Sequence, residues 1–406
     1  MKDLDVAGVT LREGTGSDAV CGVVPDRVAR PEDTEALGRT LAAAGDVGAT
    51  VTPRGGGTAL DWGAPPRSLD LSVDTSALSW IDHNAGDLVV EVGAGTPLTD
   101  LHRVLAEAGQ RLSLDPVRTG GTVGGALATG VSGPRRLLAG ALRDLVIGMT
   151  VVRADGVVAR SGGRVVKNVA GYDLAKLHTG GYGTLGVIAS AAFRLHPSPP
   201  AVRVVDVPIR SQVGAEHTLS ALRATSVVPA AVEIDLGTGR PARLRVVLEG
   251  TTEGLVSRVE ETARALGGDG VEVAEELPTD WGVLPTEGTL ARILVPPADL
   301  PGLALALDSA ATDDLGVRVH LTGSVPAGTL YLSFAPGTPA GPVADLLERA
   351  RRGTGRSAVV LRGEPRVHEA GVDLWGEVPG LPLMRAVKDA FDPDHRLSPG
   401  RFAGGI

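Results

Sequence analysis

Three glycine-rich segments in the first half of the chain limit its fold more than any other feature. They are Arg54-Gly55-Gly56-Gly57-Thr58, Gly120-Gly121-Thr122-Val123-Gly124-Gly125 and Gly180-Gly181-Tyr182-Gly183-Thr184-Leu185-Gly186. Glycine lets backbone N–H groups approach a phosphate without an intervening Cβ. One such segment predicts a turn, but three of them, separated by strand-like runs, indicate a cradle for an extended, doubly charged ligand such as a dinucleotide.

The composition argues against several classes of protein. A net charge of −9 and an aromatic content of 3% disfavour nucleic acid as a partner. The single cysteine, Cys21, rules out an internal disulfide, a cysteine-ligated iron–sulfur cluster and a cysteine-type zinc site within this chain, and we expect it to be a small buried residue. Residues 1–20 do not resemble a signal peptide, and no run approaches the roughly 18 apolar residues that span a bilayer. We therefore expect a cytoplasmic protein with no transmembrane segment.

The pattern of the first 200 residues predicts alternating helices and strands. Residues 20–75 are expected to form a βαβ unit, whose second strand, at 50–53, delivers the first glycine segment. Gly93-Ala94-Gly95 resembles a dinucleotide fingerprint but lacks its third glycine, so we interpret it as structural. Further strands are predicted at 145–153, 157–161 and 184–195, and the prolines at 197–200 indicate a boundary.

The pattern changes after residue 200. Strand, helix, strand, strand, helix and strand follow one another over 202–274, and the same order recurs over 290–361. Each half is a βαββαβ, or split ferredoxin-like, unit. We expect the two units to pair edge to edge in one sheet with helices on one face. A last helix over 383–391 carries Leu383, Val387 and Phe391 at four-residue spacing, which suits docking against another surface.

The first two glycine segments favour phosphate binding but leave alternatives open. The run from Arg54 to Thr58 follows a strand, which predicts a concave nest of N–H groups with the Thr58 hydroxyl as an additional donor; alone, it is equally a flexible turn. It is not a Walker A loop, because no lysine follows at the required spacing. Small or apolar residues follow Gly125, which indicates a chain passing tightly under a ligand. Four arginines near this segment either balance a diphosphate or are simply solvated: Arg118, Arg135, Arg136 and Arg143.

The third segment is preceded by the motif Lys167-Asn168-Val169-Ala170-Gly171-Tyr172-Asp173. The C-terminal tail carries Phe391-Asp392-Pro393-Asp394, then Pro399-Gly400-Arg401-Phe402, then Gly404-Gly405-Ile406. With the three glycine segments, these motifs resemble the FAD-binding domain of the vanillyl-alcohol oxidase/PCMH flavoprotein superfamily, and within it the FAD-binding E subunit of bacterial glycolate oxidases. The resemblance covers residues 20–200 and 383–406 well and is weak over 201–375.

This resemblance implies an α+β fold. It places a two-subdomain PCMH-type FAD-binding domain at residues 1–200 and, combined with the predicted elements, a ferredoxin-like cap domain of two βαββαβ units at 201–375. A C-terminal helix and tail at 376–406 would return to pack on the FAD-binding domain.

The resemblance also implies which residues bind FAD. Residues 53–58 and 120–125 would line the pyrophosphate, and residues 171–173 and 183–188 the ribityl, ribose and adenine portions. Because Thr58 ends the loop in which relatives with covalent flavin carry His or Cys, we expect non-covalent FAD. The chain departs from the pattern at Ala59 and Ala139, where a lysine and an aromatic residue are usual. The cofactor-binding residues so implied are Pro53, Arg54, Gly55, Gly56, Gly57, Thr58, Gly120, Gly121, Thr122, Gly124, Gly125, Ala128, Gly171, Tyr172, Asp173, Gly183, Thr184, Gly186, Val187 and Ile188.

Catalytic residues are harder to identify from the sequence. None of the eight histidines has metal-ligand spacing, and the histidine pattern of metal-dependent hydroxy-acid dehydrogenases is missing, so we expect no metal. The weak candidates are His320, the histidine of the central strands of 201–375, and Tyr172 and Lys176, which follow the third motif. A packing or capping role for His320, and support of the FAD loops by Tyr172 and Lys176, are the simpler interpretations.

The resemblance implies an FAD-dependent oxidoreductase subunit of a glycolate-oxidase-like 2-hydroxy-acid dehydrogenase. Its flavin would pass electrons to an iron–sulfur subunit, and a sister flavoprotein subunit could carry out the substrate oxidation. Such partners could hold the cytoplasmic chain at the inner face of the membrane. Two alternatives remain: a stand-alone FAD-linked oxidoreductase of hydroxy acids or alcohols, and a non-catalytic assembly or electron-relay protein.

Overall fold

Two units with separate cores make up the chain in the computed structural model, which describes residues 4–164, 172–267 and 270–406. The first unit comprises Met1–Ser132, Ala141–Ser198 and Val378–Ile406, and the second comprises Gly133–Gly140 and Pro199–Glu377. The sequence did not indicate that Gly133–Gly140 groups with the second unit. The assignment of a FAD-binding domain, a cap domain and a tail to these parts stays a prediction.

The first sheet of the first unit begins with a βαβ arrangement, as the sequence predicts. Its elements are β1 (Thr10–Glu13), β2 (Arg27–Arg30), α1 (Thr34–Asp46), β3 (Val51–Arg54) and β4 (Leu71–Asp74). The strand order is β1-β2-β4-β3, with β2 and β3 both parallel to β4. Asp33 caps α1 by accepting a 2.6 Å hydrogen bond from the Ala36 N–H. Leu37 and Leu41 of α1 are fully buried in the core beside this sheet.

The second sheet of the first unit has five antiparallel strands in the order β5-β6-β10-β8-β9. A two-residue pair, β7 with β11, lies outside it. Seven of the eight residues of β10 are buried, because this strand lies in the middle of the sheet. The strands are β5 (Ile81–Asn84), β6 (Val89–Gly93), β7 (Gln110–Arg111), β8 (Val146–Val152), β9 (Val158–Gly162), β10 (Val187–Arg194) and β11 (His196–Pro197).

The remaining helices of the first unit are mostly short. They are α2 (Leu98–Glu107), α3 (Val123–Thr129), α5 (Leu142–Leu145), α6 (Leu174–His178) and α12 (Leu381–Phe391), with 3₁₀ turns at Gly16–Asp18, Thr75–Ala77 and Ala403–Gly405. Helix α3, which follows the second glycine segment, was not predicted from the sequence. Thr122 caps it by accepting a hydrogen bond from the Gly125 N–H, and Gly130 ends it in the left-handed region.

One antiparallel sheet of eight strands forms the second unit, in the order β15-β12-β14-β13-β17-β18-β16-β19. The two predicted βαββαβ units are confirmed, and they join where β13 pairs with β17. Helix α7 contacts α8 and α9, and α9 contacts α10, so these helices form one layer. The elements are α4 (Arg136–Ala139), β12 (Ala201–Ile209), α7 (Gln212–Arg223), β13 (Ala231–Gly237), β14 (Arg240–Gly250), α8 (Thr252–Ala265), β15 (Glu272–Ala274), β16 (Leu290–Leu294), α9 (Leu300–Ser309) with a π turn at Ala310–Asp314, β17 (Val319–Ser324), β18 (Thr329–Phe334), α10 (Ala340–Arg351), β19 (Ser357–Arg362) and α11 (Pro365–Glu369).

No helix in the described parts of the chain has both the length and the apolar character needed to cross a membrane.

Candidate cofactor site

The first and second glycine segments are in direct contact. Strand β3 ends at Arg54, and the next residue, Gly55, lies so close to Thr122 that a Cβ would overlap the threonine Oγ1. A Cβ on Gly56 would likewise overlap the carbonyl oxygen of Gly120. The two segments can approach this closely only because both positions lack a side chain.

The third glycine segment joins the other two. Gly183 has a φ of +73°, and a Cβ there would lie 2.5 Å from Cγ of Pro53 on β3. The N–H of Gly180 donates to the carbonyl of Leu127, at 2.8 Å, and the N–H of Tyr182 donates to the carbonyl of Ala128, at 2.9 Å. These two acceptors lie on α3, so all three segments meet around this helix.

A groove lies along the meeting point. It consists of two adjoining pockets, which share five lining residues: Pro53, Arg54, Gly55, Gly125 and Ala128. Most of the predicted cofactor-binding residues line it. They are Pro53, Arg54, Gly55, Gly56, Gly57, Thr58, Thr122, Gly124, Gly125, Ala128, Gly183, Gly186, Val187 and Ile188.

Three other predicted residues shape the loops without lining the groove. The carbonyl of Gly120 faces Gly56, as described above, and the carbonyl of Gly121 accepts a 3.0 Å hydrogen bond from the Leu98 N–H. Thr184 is buried, and its hydroxyl donates to the Gly181 carbonyl at 2.6 Å. These contacts stabilise the loops, so Gly120, Gly121 and Thr184 have a structural role in the glycine segments.

The structure does not place Tyr172, Asp173 or Lys176 among the residues that line the groove. Tyr172 is 91% exposed. Asp173 caps α6 by accepting from the Lys176 N–H, and its carboxylate pairs with the Lys176 ammonium at 3.2 Å. Gly171 lies outside the described residues, and the proposed roles of Tyr172 and Lys176 near the flavin stay predictions.

His320, the third catalytic candidate, lies on β17 in the second unit. Its Nε2 is 2.8 Å from Oδ1 of Asp235 on the neighbouring β13. This hydrogen bond is the main reason why the pKa of Asp235 is lowered. His320 is thus paired within the sheet, and a catalytic role for it stays a prediction.

The arginine of the first glycine segment already has a counter-charge. The Arg54 guanidinium pairs with the fully buried carboxylate of Asp18, which Arg12 also contacts at 2.6 Å. The hydrogen bond from Arg12 holds the pKa of Asp18 well below its usual range. Because Asp18 offsets the Arg54 charge, a diphosphate at this segment would have to be held mainly by backbone N–H groups.

Unlike Arg54, the four arginines near the second glycine segment are not among the residues that line the groove. Arg135 pairs with Glu249 at 2.9 Å, and Arg136 donates to Oγ1 of Thr329 at 3.3 Å; all four residues belong to the second unit. The guanidinium of Arg118 lies 5.7 Å from the ring centre of Trp62. The hypothesis that these arginines balance a diphosphate has no support from these contacts.

Three titratable residues that line the groove were not predicted from the sequence to bind the cofactor: His178, Tyr182 and Arg401. His178 ends α6 just before the third glycine segment, and it is only 4% exposed. Burial lowers its pKa to about 4, so the imidazole is neutral near pH 7. Arg401, from the tail, is 3% exposed and donates to the carbonyls of Leu60, at 3.0 Å, and Trp62, at 2.5 Å. In the sequence, His178 lies just before the third glycine segment and Arg401 lies in the C-terminal motif, and this proximity could have pointed to them.

Comparison with known proteins agrees with this site. Residues 25–162 match the FAD binding domain family. Glycolate oxidase subunit GlcD of Bacillus subtilis is 27% identical over 93% of this chain and 89% of that protein. Glycolate oxidase subunit GlcE of Escherichia coli is 35% identical, but the alignment covers 37% of this chain and 42% of GlcE.

Solved structures show the same fold. Alkyldihydroxyacetonephosphate synthase superposes with a TM-score of 0.67 over 93% of this chain and 76% of that protein, at 17% sequence identity. The groove fits an FAD cofactor, because glycines without side chains line it and, within the described residues, the N–H groups of Gly55, Gly56 and Gly57 donate to no protein acceptor. The chain therefore carries an FAD-binding domain of the PCMH type, as its sequence motifs predict.

Proposed function

We propose that this chain oxidises a small 2-hydroxy acid and works as a subunit of a glycolate-oxidase-like dehydrogenase. The observation that carries the proposal is the groove formed by the three glycine segments, in a chain that aligns with GlcD over 93% of its length. Bound FAD would supply the two-electron acceptor for oxidation of a CH–OH carbon.

The residues of this chain bind and orient the cofactor. Amides of the first and second segments would hold the diphosphate, with the Thr58 hydroxyl as an additional donor. Residues 183–188 would lie beside the remaining part of the cofactor. The neutral His178 and the apolar Leu185 and Val187 line this side of the groove and would present little charge to the cofactor.

We propose that FAD is bound without a covalent link, since Thr58 stands where relatives with covalent flavin carry His or Cys. Precipitation of the purified protein with trichloroacetic acid tests this directly. The yellow colour should appear in the supernatant, in about equimolar amount to the protein. Flavin retained in the washed pellet would contradict the proposal and direct attention to His178, which lines the groove.

The activity is tested with the FAD-loaded chain under anaerobic conditions. Glycolate, D-lactate and L-lactate are added separately, and flavin absorbance near 450 nm is followed. We expect at least one of them to bleach the flavin. A flavin that dithionite reduces but no hydroxy acid reduces would overturn the proposed activity of this chain.

The onward path for electrons is also a proposal. Because the chain has a single cysteine, a cysteine-ligated iron–sulfur cluster that accepts electrons from the flavin must belong to another subunit. We propose an iron–sulfur subunit and a sister flavoprotein subunit as partners, through which the chain could reach the inner face of the membrane. Purification from the native host, with identification of the co-purifying chains, tests this assembly.

The two alternatives predict different results. A stand-alone enzyme would turn over a hydroxy acid or an alcohol with an artificial acceptor, at full rate and without partners. A non-catalytic protein that has lost FAD is suggested by the departures at Ala59 and Ala139. Stoichiometric flavin released from the desalted, denatured protein would eliminate that last possibility.

A further inference from the structure

One face of the sheet in the second unit is polar and yet buried. Thr329, Tyr331 and Ser333 alternate along β18 and share this face, with exposures of 1%, 7% and 5%. Their partners across β17 are Ser324, Thr322 and His320. An antiparallel sheet that carries helices on one face commonly leaves the other to water. Because these hydroxyl groups are buried, they need hydrogen-bond partners other than bulk water.

An arginine with no partner lies on this face. Arg292 of β16 is directly opposite Tyr331, so both side chains are on the same side of the sheet. Within the described residues, Arg292 makes no hydrogen bond or ion pair, and its Nε is buried. Oγ of Ser324 and Oγ of Ser333 are also buried without a protein partner. A buried polar group without a hydrogen bond destabilises the folded protein, and a small polar ligand would remove that cost.

A second guanidinium, that of Arg136, contacts the same strand, β18. Burial raises the pKa of Tyr331, whereas the charges of Arg292 and Arg136 both lower it, so both cations act on the same hydroxyl. Arg136 begins α4 and donates to Oγ1 of Thr329 on β18. Among the residues that the structure describes, neither arginine forms an ion pair with a carboxylate. The charge of Glu233 on β13, two strands away in the sheet, raises the pKa of Tyr331.

We propose that Arg292 and Arg136 bind the carboxylate group of a small acid on this sheet face, together with the serine hydroxyls beside them. A guanidinium forms two parallel hydrogen bonds to a carboxylate, which a neutral alcohol cannot accept in the same way. The identity of the acid as a 2-hydroxy acid rests on the proposed function. The site itself rests on the side chains described here. It would make the protein select hydroxy acids over neutral alcohols.

The test uses the full, FAD-loaded chain and two probes, oxalate and glycolate, with ethylene glycol as the neutral control. Isothermal titration gives the dissociation constants. We expect both acids to bind and the diol not to bind. Arg292→Met should weaken oxalate binding by roughly 30-fold, the loss of about 2 kcal/mol of charge-assisted hydrogen bonding. The oxalate affinity of Arg292→Lys should lie between those of the wild type and Arg292→Met. Arg349→Met, which removes an exposed arginine of α10, should have no effect.

Unchanged oxalate affinity in both Arg292 variants, at normal flavin content, would overturn the carboxylate site, as would equal binding of ethylene glycol. The two proposals fail in different ways. If glycolate bleaches the flavin of Arg292→Met with an unchanged KM, the proposed activity stands and the site is wrong. If oxalate binding depends on Arg292 but no hydroxy acid reduces the flavin, the site stands and the proposed activity is wrong.

Discussion

The ammonium group of Lys388 donates a 2.7 Å hydrogen bond to the carbonyl oxygen of Thr184, which lies 204 residues earlier in the third glycine segment. The same nitrogen contacts Oδ2 of Asp392 at 2.6 Å and the carbonyl of Leu397 at 2.8 Å. Lys388 and Asp392 are both fully buried. The C-terminal tail thus holds one of the segments that form the FAD groove.

The tail also supports the first glycine segment. The N–H of Val51 on β3 donates to the carbonyl of Arg396, and the N–H of Ser398 donates to the carbonyl of Val51, both at 2.8 Å. Strand β3 leads directly into Gly55. The position of the groove therefore depends on the last residues of the chain.

Lys388→Met should destabilise the protein strongly. It leaves the Asp392 carboxylate buried without its counter-charge, which costs about 3–5 kcal/mol in comparable buried pairs. The free energy of unfolding in urea, measured on the FAD-free protein, checks this. The exposed Lys176–Asp173 pair offers a matched control, and Lys176→Met should change stability by less than about 0.5 kcal/mol.

The double variant Lys388→Met/Asp392→Leu separates the ion pair from the packing. It should recover a large part of the lost stability, because no buried charge remains. If the double variant is as unstable as the single variant, the uncompensated carboxylate is not the cause.

The free energy of unfolding should decrease as the pH is lowered, because of His178. The unfolded chain takes up a proton near pH 6.5, whereas burial keeps the folded imidazole neutral until about pH 4. This contribution is complete above pH 6.5 and decreases as the pH falls from 6.5 to 4, by about 3 kcal/mol in all. Urea unfolding at pH 7.5, 5.5 and 4.5 measures it.

His178→Phe is the control for that experiment. Phenylalanine keeps a ring near Phe391, whose centre lies 5.7 Å from the imidazole, but it cannot take up a proton. The variant should lose this part of the pH dependence. An equal decrease in both proteins would assign it to other groups.

Gly183→Ala should weaken FAD binding. The alanine would have to adopt a φ of +73°, which costs about 1–2 kcal/mol, and its Cβ would press on Pro53 at 2.5 Å. The dissociation constant of FAD, followed by quenching of flavin fluorescence, should rise at least tenfold. Gly341→Ala in α10 is the control, because nothing lies within 4 Å of its Cβ; it should leave FAD affinity unchanged. Wild-type affinity in Gly183→Ala would contradict a role for this backbone position.

Asp18→Asn should lower the stability of the FAD-free protein but strengthen FAD binding. Without the carboxylate, Arg54 and Arg12 lose their common counter-charge, and the FAD-free protein should lose about 3 kcal/mol of stability. The freed Arg54 would then attract the diphosphate, so the rise in Tm on adding FAD should be larger than in the wild type. Asp155→Asn, at an exposed pair with Arg153, is the control. A smaller rise in Tm than in the wild type would show that Asp18 supports the groove in some other way.

Much of the fold follows from local patterns. The repeat of strand, helix, strand, strand, helix and strand after residue 200 is visible because strand and helix side chains alternate with different periods. The glycine segments are equally visible, since a missing side chain is a property of the residue itself. Short elements such as α3 escaped, because its residues, Val123–Thr129, are too few to show a helical period.

The sequence by itself therefore determined the order of the elements and the segments that form the cofactor groove. Only the tertiary structure decided which of these glycines line the groove, as Gly56 does, and which only shape a loop, as Gly120 does. It also decided that Asp18 neutralises Arg54 and that Lys388 reaches Thr184. These contacts join residues far apart in the chain, and no local spacing records them, because they arise only when the folded backbone brings the residues together.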